Sequence, residues 1–339
     1  MAPLAAIFGC AGPQLAAAER DFFARAQPTG FILFARNVES PAQLRALVAA
    51  LRQSVGREDA PVLVDQEGGR VQRLKPPQWR AAPAPGRFGE LAAKDPDRAA
   101  EAVRLNAQLI ARELTAAGID TVGAPSLDLR LPGAHQVIGD RAFSADPAIV
   151  AALGRAACEG FLAAGVTPVI KHLPGHGRSQ VDSHLSLPVV DAPLAELEAS
   201  DFRPFRALAD MPLGMTGHLL ITAMDAERPA TISSRVIAEI IRGYIGFKGV
   251  LITDDLSMEA LSGTVQSRAA AAIAAGCDLA LHCNGKLAEM AAIAEVLPPI
   301  SPGAAARLAQ ARARPSAGEA DAAELARQLD LLLTGASHA

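Results

Sequence analysis

A closed (β/α)8 barrel is the fold class the sequence predicts. Eight short apolar runs of β type alternate with Ala/Leu/Arg-rich segments of helical spacing, and no linker or internal repeat divides the 339 residues. In addition, the densest polar cluster of the chain, Lys171 to His184, begins where one apolar run ends, the edge at which such barrels carry their chemistry.

The elements follow in order. The first apolar run covers 4–9 and the second 30–34; the helix at 41–55 opens on Ser40-Pro41, a capping hydroxyl ahead of a proline that needs no N–H partner. Run 62–64 leads into a polar stretch and then a proline-rich segment, 75–88, expected to be an ordered surface loop. Helix 97–117 starts after Asp95-Pro96 and stops at Gly118, ahead of run 119–123. Helix 147–164 starts after Asp146-Pro147 and stops at Gly165, ahead of run 166–170. Helix 193–209, run 213–216, helix 233–243, run 250–253, helix 265–275 with Gly276 as its stop, and run 278–282 complete eight units. Two further Ala-rich helices are expected from about 301, and residues 1–339 read as a single catalytic domain. A doubly wound open sheet would show a Gly-rich phosphate turn, but Gly68-Gly69 has no third glycine and no GxGxxG.

Composition narrows the function classes. A net charge of -4 with well-mixed signs, one Trp and one Tyr disfavour nucleic acid and anionic membrane as partners. The four cysteines are scattered, with neither a disulfide framework nor a CxxC metal pattern. Residues 1–18 carry no charged side chain, yet no basic residues precede the apolar run as a signal peptide would need, so a cytoplasmic protein is expected.

Polar residues concentrate at the C-terminal ends of the predicted strands. Run 62–64 continues into Asp65-Gln66-Glu67-Gly68-Gly69-Arg70-Val71-Gln72-Arg73, two acids and two arginines that suit the hydroxyls of a sugar. Run 250–253 ends in Asp254-Asp255; strand alternation turns one of the two to the barrel axis, while Asp255 could cap the next element. Arg141 could turn inward or pair with Asp140 or Asp146 at the surface, and His218 could join the rim or serve as a structural imidazole. Between His172 and His176 stand Pro174 and Gly175, which break any helix, so an HxxxH metal site is disfavoured and no metal or cofactor is expected. In an extended Asp182-Ser183-His184, the carboxylate can hold one ring nitrogen and leave the other for a substrate proton. With Asp254 across the rim, this makes an acid/base and a nucleophile, the two roles of retaining glycoside hydrolysis, although that chemistry usually employs two carboxylates.

These residues resemble a known pattern. Lys171-His-Leu-Pro-Gly-His-Gly177, Asp182-Ser-His184, Asp65 to Arg73, and Thr253-Asp-Asp-Leu-Ser-Met258 are similar to the signatures of the β-N-acetylhexosaminidases of glycoside hydrolase family 3. Phe34-Ala-Arg-Asn37 and Gly139-Asp-Arg-Ala-Phe143 extend the likeness, which runs from about residue 7 to 284. The resemblance implies removal of terminal β-linked N-acetylglucosamine from muropeptides during cell-wall recycling in the cytoplasm. It assigns Asp254 as nucleophile, His184 as acid/base and Asp182 as its partner. It assigns sugar binding to Asp65, Arg73, Arg141, Lys171 and His172. The second domain that many family members carry has no room here, and Leu173 replaces a commoner Phe. The same implied mechanism expects a loop, 173–190, that carries His184 in and out with Gly175 and Gly177 as hinges. Two other readings use the same residues: a phosphorylase with phosphate in place of water, and a sugar-binding protein without turnover.

Overall fold

The computed structural model describes residues 2–133, 135–183, 186–312 and 321–335. Its strands are β1 Leu4–Gly9, β2 Pro28–Leu33, β3 Val62–Val64, β4 Thr121–Val122, β5 Thr167–Leu173, β6 Leu213–Thr216, β7 Val250–Asp255 and β8 Leu279–His282. Each pairs in parallel with its neighbours in the chain, and β8 returns to β1 through Ala280 opposite Ala6. The fold is therefore the TIM-type (β/α)8 barrel that the eight apolar runs predict.

Side-chain alternation sorts the strand residues into two cores. Ala5, Ile7, Ile32, Leu63, Val169, Leu213, Met215, Val250, Ile252, Leu279 and Leu281 fill the barrel interior. Their neighbours Ala6, Phe8, Phe31, Leu33, Val62, Val64, Ile170, Leu251 and Ala280 face outward into the layer beneath the helices. Ile300 and Ala304 join the interior cluster, so the segment leading into the helix Pro302–Arg312 plugs the end opposite the site. Backbone bonds from Ile300 N–H to Pro3 O and from Ala5 N–H to Pro298 O tie that plug to β1. The helix Ala322–Thr334 lies on the long helix Pro96–Ala116, where Arg98 Nε donates to Leu332 O at 2.6 Å. Among the described residues no helix is long and apolar enough to cross a membrane.

Several boundaries differ from the expected ones. β5 runs three residues past 170 and β7 two past 253, because polar residues at the mouth still carry ladder bonds. The proline-rich stretch 75–88 contains the start of a helix, Pro85–Ala92, for which Pro85 is a favourable first residue. Segment 193–209 is two short helices, Leu194–Ala199 and Arg203–Ala207; Pro204 lacks the N–H that would bridge them. Segment 233–243 winds as a π-helix over Val236–Tyr244.

Candidate active site

A pocket of about 470 Å³ opens at the C-terminal mouth of the barrel. Strand parity explains much of its lining. Continuing the inward series 250, 252 brings Asp254 to the axis, while Thr253 faces out and its hydroxyl accepts the Leu281 N–H at 2.9 Å. The same parity delivers Phe34 after Ile32, Asp65 after Leu63, and Cys283 after Leu281. In β5 parity alone would send His172 outward. A register shift between Ile170 and Leu173 breaks the alternation, and Lys171 and His172 both line the pocket.

Three cations and two carboxylates form one network. Lys171 Nζ, nearly fully buried, lies 2.9 Å from Asp65 Oδ1 and 2.7 Å from Glu67 Oε1. Arg73 Nη2 reaches Asp65 Oδ2 at 3.0 Å, and Arg141 grips Glu67 through Nε at 2.9 Å and Nη2 at 2.8 Å. The hairpin Gln66–Gly68 with Val71–Gln72 sets this geometry, since Gln66 Oε1 accepts the N–H groups of Arg73 and Leu74. Burial alone would push both carboxyls up, but the adjacent cations more than offset it. Glu67 is lowered to about 2 and Asp65 falls well below the carboxylate range. The two acids divide the work: Asp65 lines the pocket, whereas Glu67 is buried behind it and holds Arg141 and Lys171 in place. Arg141 thus points inward, and the Asp140 carboxylate is taken by Arg70 instead.

Asp254 is half-buried and its Oδ1 accepts the Asp255 N–H at 2.8 Å. Burial raises its carboxyl, yet the imidazoles of His172 and His218, that N–H and Lys171 bring it below the ordinary value, so it stands ionised. Asp255 anchors the following turn, accepting from Ser257 N–H, Ser257 Oγ and Cys283 N–H. His218 is structural: both ring nitrogens are occupied, by Thr231 Oγ1 at 2.8 Å and Asp255 O at 3.0 Å.

One residue of consequence, Asp128, escaped the sequence reading, and another, His176, was weighed there only as a metal ligand. Asp128, whose side chain is fully buried, holds His172 Nδ1 at 2.6 Å, accepts the His176 N–H at 2.7 Å and takes a bond from Ser126 Oγ at 2.9 Å. A lone acid between Leu127 and Leu129 was the available signal, because a buried carboxylate requires partners. His176 also lines the pocket, and neither of its ring nitrogens has a hydrogen-bond partner among the described residues. Burial and the neighbouring His172 lower its imidazole to about 4.

Asp65, Arg73, Arg141, Lys171, His172, Asp182 and Asp254 therefore converge on a single pocket. His184, the expected acid/base, lies outside the described residues. The expected hinges lie in a packed segment: a Cβ on Gly177 would stand 2.7 Å from Leu129 N, and one on Gly175 3.1 Å from Asp201 Cβ.

An ionised carboxylate at a barrel mouth, ringed by cations and imidazoles that match hydroxyl groups, suits the class of (β/α)8 glycoside hydrolases. The match is to the glycosyl hydrolase family 3 N terminal domain over residues 5–314, and the chain belongs to that family. It is 41% identical to a beta-hexosaminidase of Bordetella avium over 278 residues, 81% of this chain and 79% of that protein. A beta-hexosaminidase of Alkalilimnicola ehrlichii is also 41% identical, over 313 residues that make up 91% of this chain and 88% of the relative. Native NagZ of Neisseria gonorrhoeae superimposes with a TM-score of 0.87 at 32% identity, covering 100% of this chain and 99% of that one. The family 3 β-N-acetylglucosaminidase of Paenibacillus sp. FPU-7 gives a TM-score of 0.85 at 32% identity; 97% of this chain matches 66% of that longer one.

Proposed function

We propose that the protein is a β-N-acetylhexosaminidase that removes terminal β-linked N-acetylglucosamine with retention of configuration. The observation that carries the reading is Asp254, ionised and facing the pocket, in a wall of Asp65, Arg73, Arg141, Lys171 and His172. In the first step Asp254 forms a bond to the anomeric carbon as the bond to the leaving oxygen breaks, and His184, oriented by Asp182, gives that oxygen its proton. In the second, His184 takes a proton from water, whose oxygen displaces Asp254. The sugar-binding residues exchange water for hydroxyl bonds; Lys171 and the arginines donate, and Asp65 accepts. Residues 1–339 act as one catalytic unit with no cofactor, and the substrates are muropeptides of bacterial cell-wall recycling, met in the cytoplasm.

Incubation with an aryl β-N-acetylglucosaminide beside the plain β-glucoside tests the activity; turnover of the first and little of the second is expected. Proton NMR of the first-formed sugar tests the mechanism, for which initial β-anomer is required. Sugar phosphate accumulating in phosphate buffer would transfer the assignment to phosphorolysis, and binding without turnover would leave a sugar-binding protein.

A further inference from the structure

His176 is the pocket group that this mechanism leaves unused. Its ring sits 5.7 Å from that of His172, centroid to centroid, and its Cδ2 stands 3.3 Å from where a Cβ on Gly217 would be. The backbone beneath it is fixed, since its N–H is committed to Asp128 and the following Gly177 packs on the Leu129 backbone. The side chain differs from its surroundings. It is 2% exposed, yet Nδ1 and Nε2 are both shielded from solvent without a hydrogen bond to any described residue. The great majority of buried polar atoms in folded proteins are paired, and an exception calls for an explanation, which in a ligand pocket an arriving partner supplies.

We propose that His176 is a substrate-contacting residue whose missing partner is a hydroxyl group of the bound sugar; the inference rests on the hexosaminidase reading. The chemistry of the pocket selects that partner. Asp65, Asp182 and Asp254 are acceptors when ionised, and Lys171, Arg73 and Arg141 are donors only. A neutral imidazole has one donor and one acceptor, the same pairing that a sugar hydroxyl presents. Burial keeps the ring neutral at the pH of the cell. Because neither nitrogen holds a bond in the free protein, the ring can turn about Cβ–Cγ toward an incoming sugar without breaking one.

The test compares the wild type with His176→Phe, which fills similar volume without polar atoms, and His176→Gln, which restores a donor and an acceptor. For the phenyl variant we expect a melting midpoint no lower than the wild type's, kcat/KM on an aryl β-N-acetylglucosaminide reduced by about 10–100-fold, and loss of the thermal shift given by N-acetylglucosamine. The glutamine variant should recover part of both losses. Wild-type kcat/KM together with a wild-type sugar-induced shift in His176→Phe would overturn the proposal and leave the ring a packing element. If the phenyl ring does not fit, the wild type itself decides. In ¹⁵N-histidine spectra, the His176 ring signals, assigned by their loss in His176→Gln, should move on saturation with N-acetylglucosamine, and unmoved signals would refute the contact. Absence of turnover by the wild type would instead defeat the hexosaminidase reading.

Discussion

At the scale of single residues, Asp254 and Asp128 make contrasting demands. Asp254→Asn keeps the shape but removes the charge that the proposed mechanism turns on the anomeric carbon, so turnover should fall by about 10⁴-fold or more while the circular dichroism spectrum and melting curve stay those of the parent. Asp128 is buried and lies outside the pocket lining. It holds the His172 ring and two backbone N–H groups, so Asp128→Asn should cost about 10–100-fold in kcat/KM, because an amide offers one acceptor oxygen where the carboxylate uses two. A variant that lost stability alone, with kcat/KM unchanged, would show Asp128 to be mere scaffolding. For His184 the leaving group is the probe. Replacement by Ala should cost about 10²–10⁴-fold on substrates with poor leaving groups and far less on activated aryl glycosides, as measured by initial rates.

Among the elements, β5 and its continuation govern how much of the site can move. Residues 173–179 are buried apart from a half-exposed Arg178, and Gly177 lies against the Leu129 backbone, so Gly177→Ala should destabilise by about 1–3 kcal/mol in urea titrations. A hinge glycine would tolerate the methyl group with little change in midpoint. The strands were legible because each is a short apolar run with a polar end, and alternation then fixes which mouth residue faces the axis, as for Asp254 after Ile252. His172 was singled out only through its motif, since the register shift after Ile170 that brings it to the pocket overrides alternation and leaves no trace in hydrophobic pattern. The division of segment 193–209 was readable in principle at Pro204. The separate duties of Asp65 and Glu67 were not, because the hairpin that turns one forward and the other back is held by the Gln66 side chain, a contact with no periodic signature.

For the whole molecule, the ionised groups of the site tie stability to pH. Asp65, Glu67 and Asp128 have folded pKa values below those of the unfolded chain, and His176 and His218 are likewise lowered. A lowered folded value means stability present above the unfolded pKa and lost as the pH falls. Melting midpoints should therefore be level above about pH 6.5, drop between about 6.5 and 4 as the unfolded chain takes up protons that the buried imidazoles refuse, and drop again below about 4 with the carboxylates. Lys171, raised by Asp65 and Glu67, acts in the opposite sense and withdraws support only above about pH 10. Midpoints recorded from pH 8 to 3 check the shape, and His176→Phe should flatten the upper step. A curve that rose on acidification from neutrality would contradict the lowered imidazoles.

Ile300 and Ala304 close the foot of a packed barrel, and among the described residues the site pocket opens at the opposite mouth. A ligand that enters sugar-first must back out the way it came, so the departing aglycone, nearest the door, has to clear the passage before the cleaved sugar can follow. Free N-acetylglucosamine is then the last product off and should compete with substrate for the empty enzyme, whereas the aglycone should give a mixed pattern in product-inhibition plots.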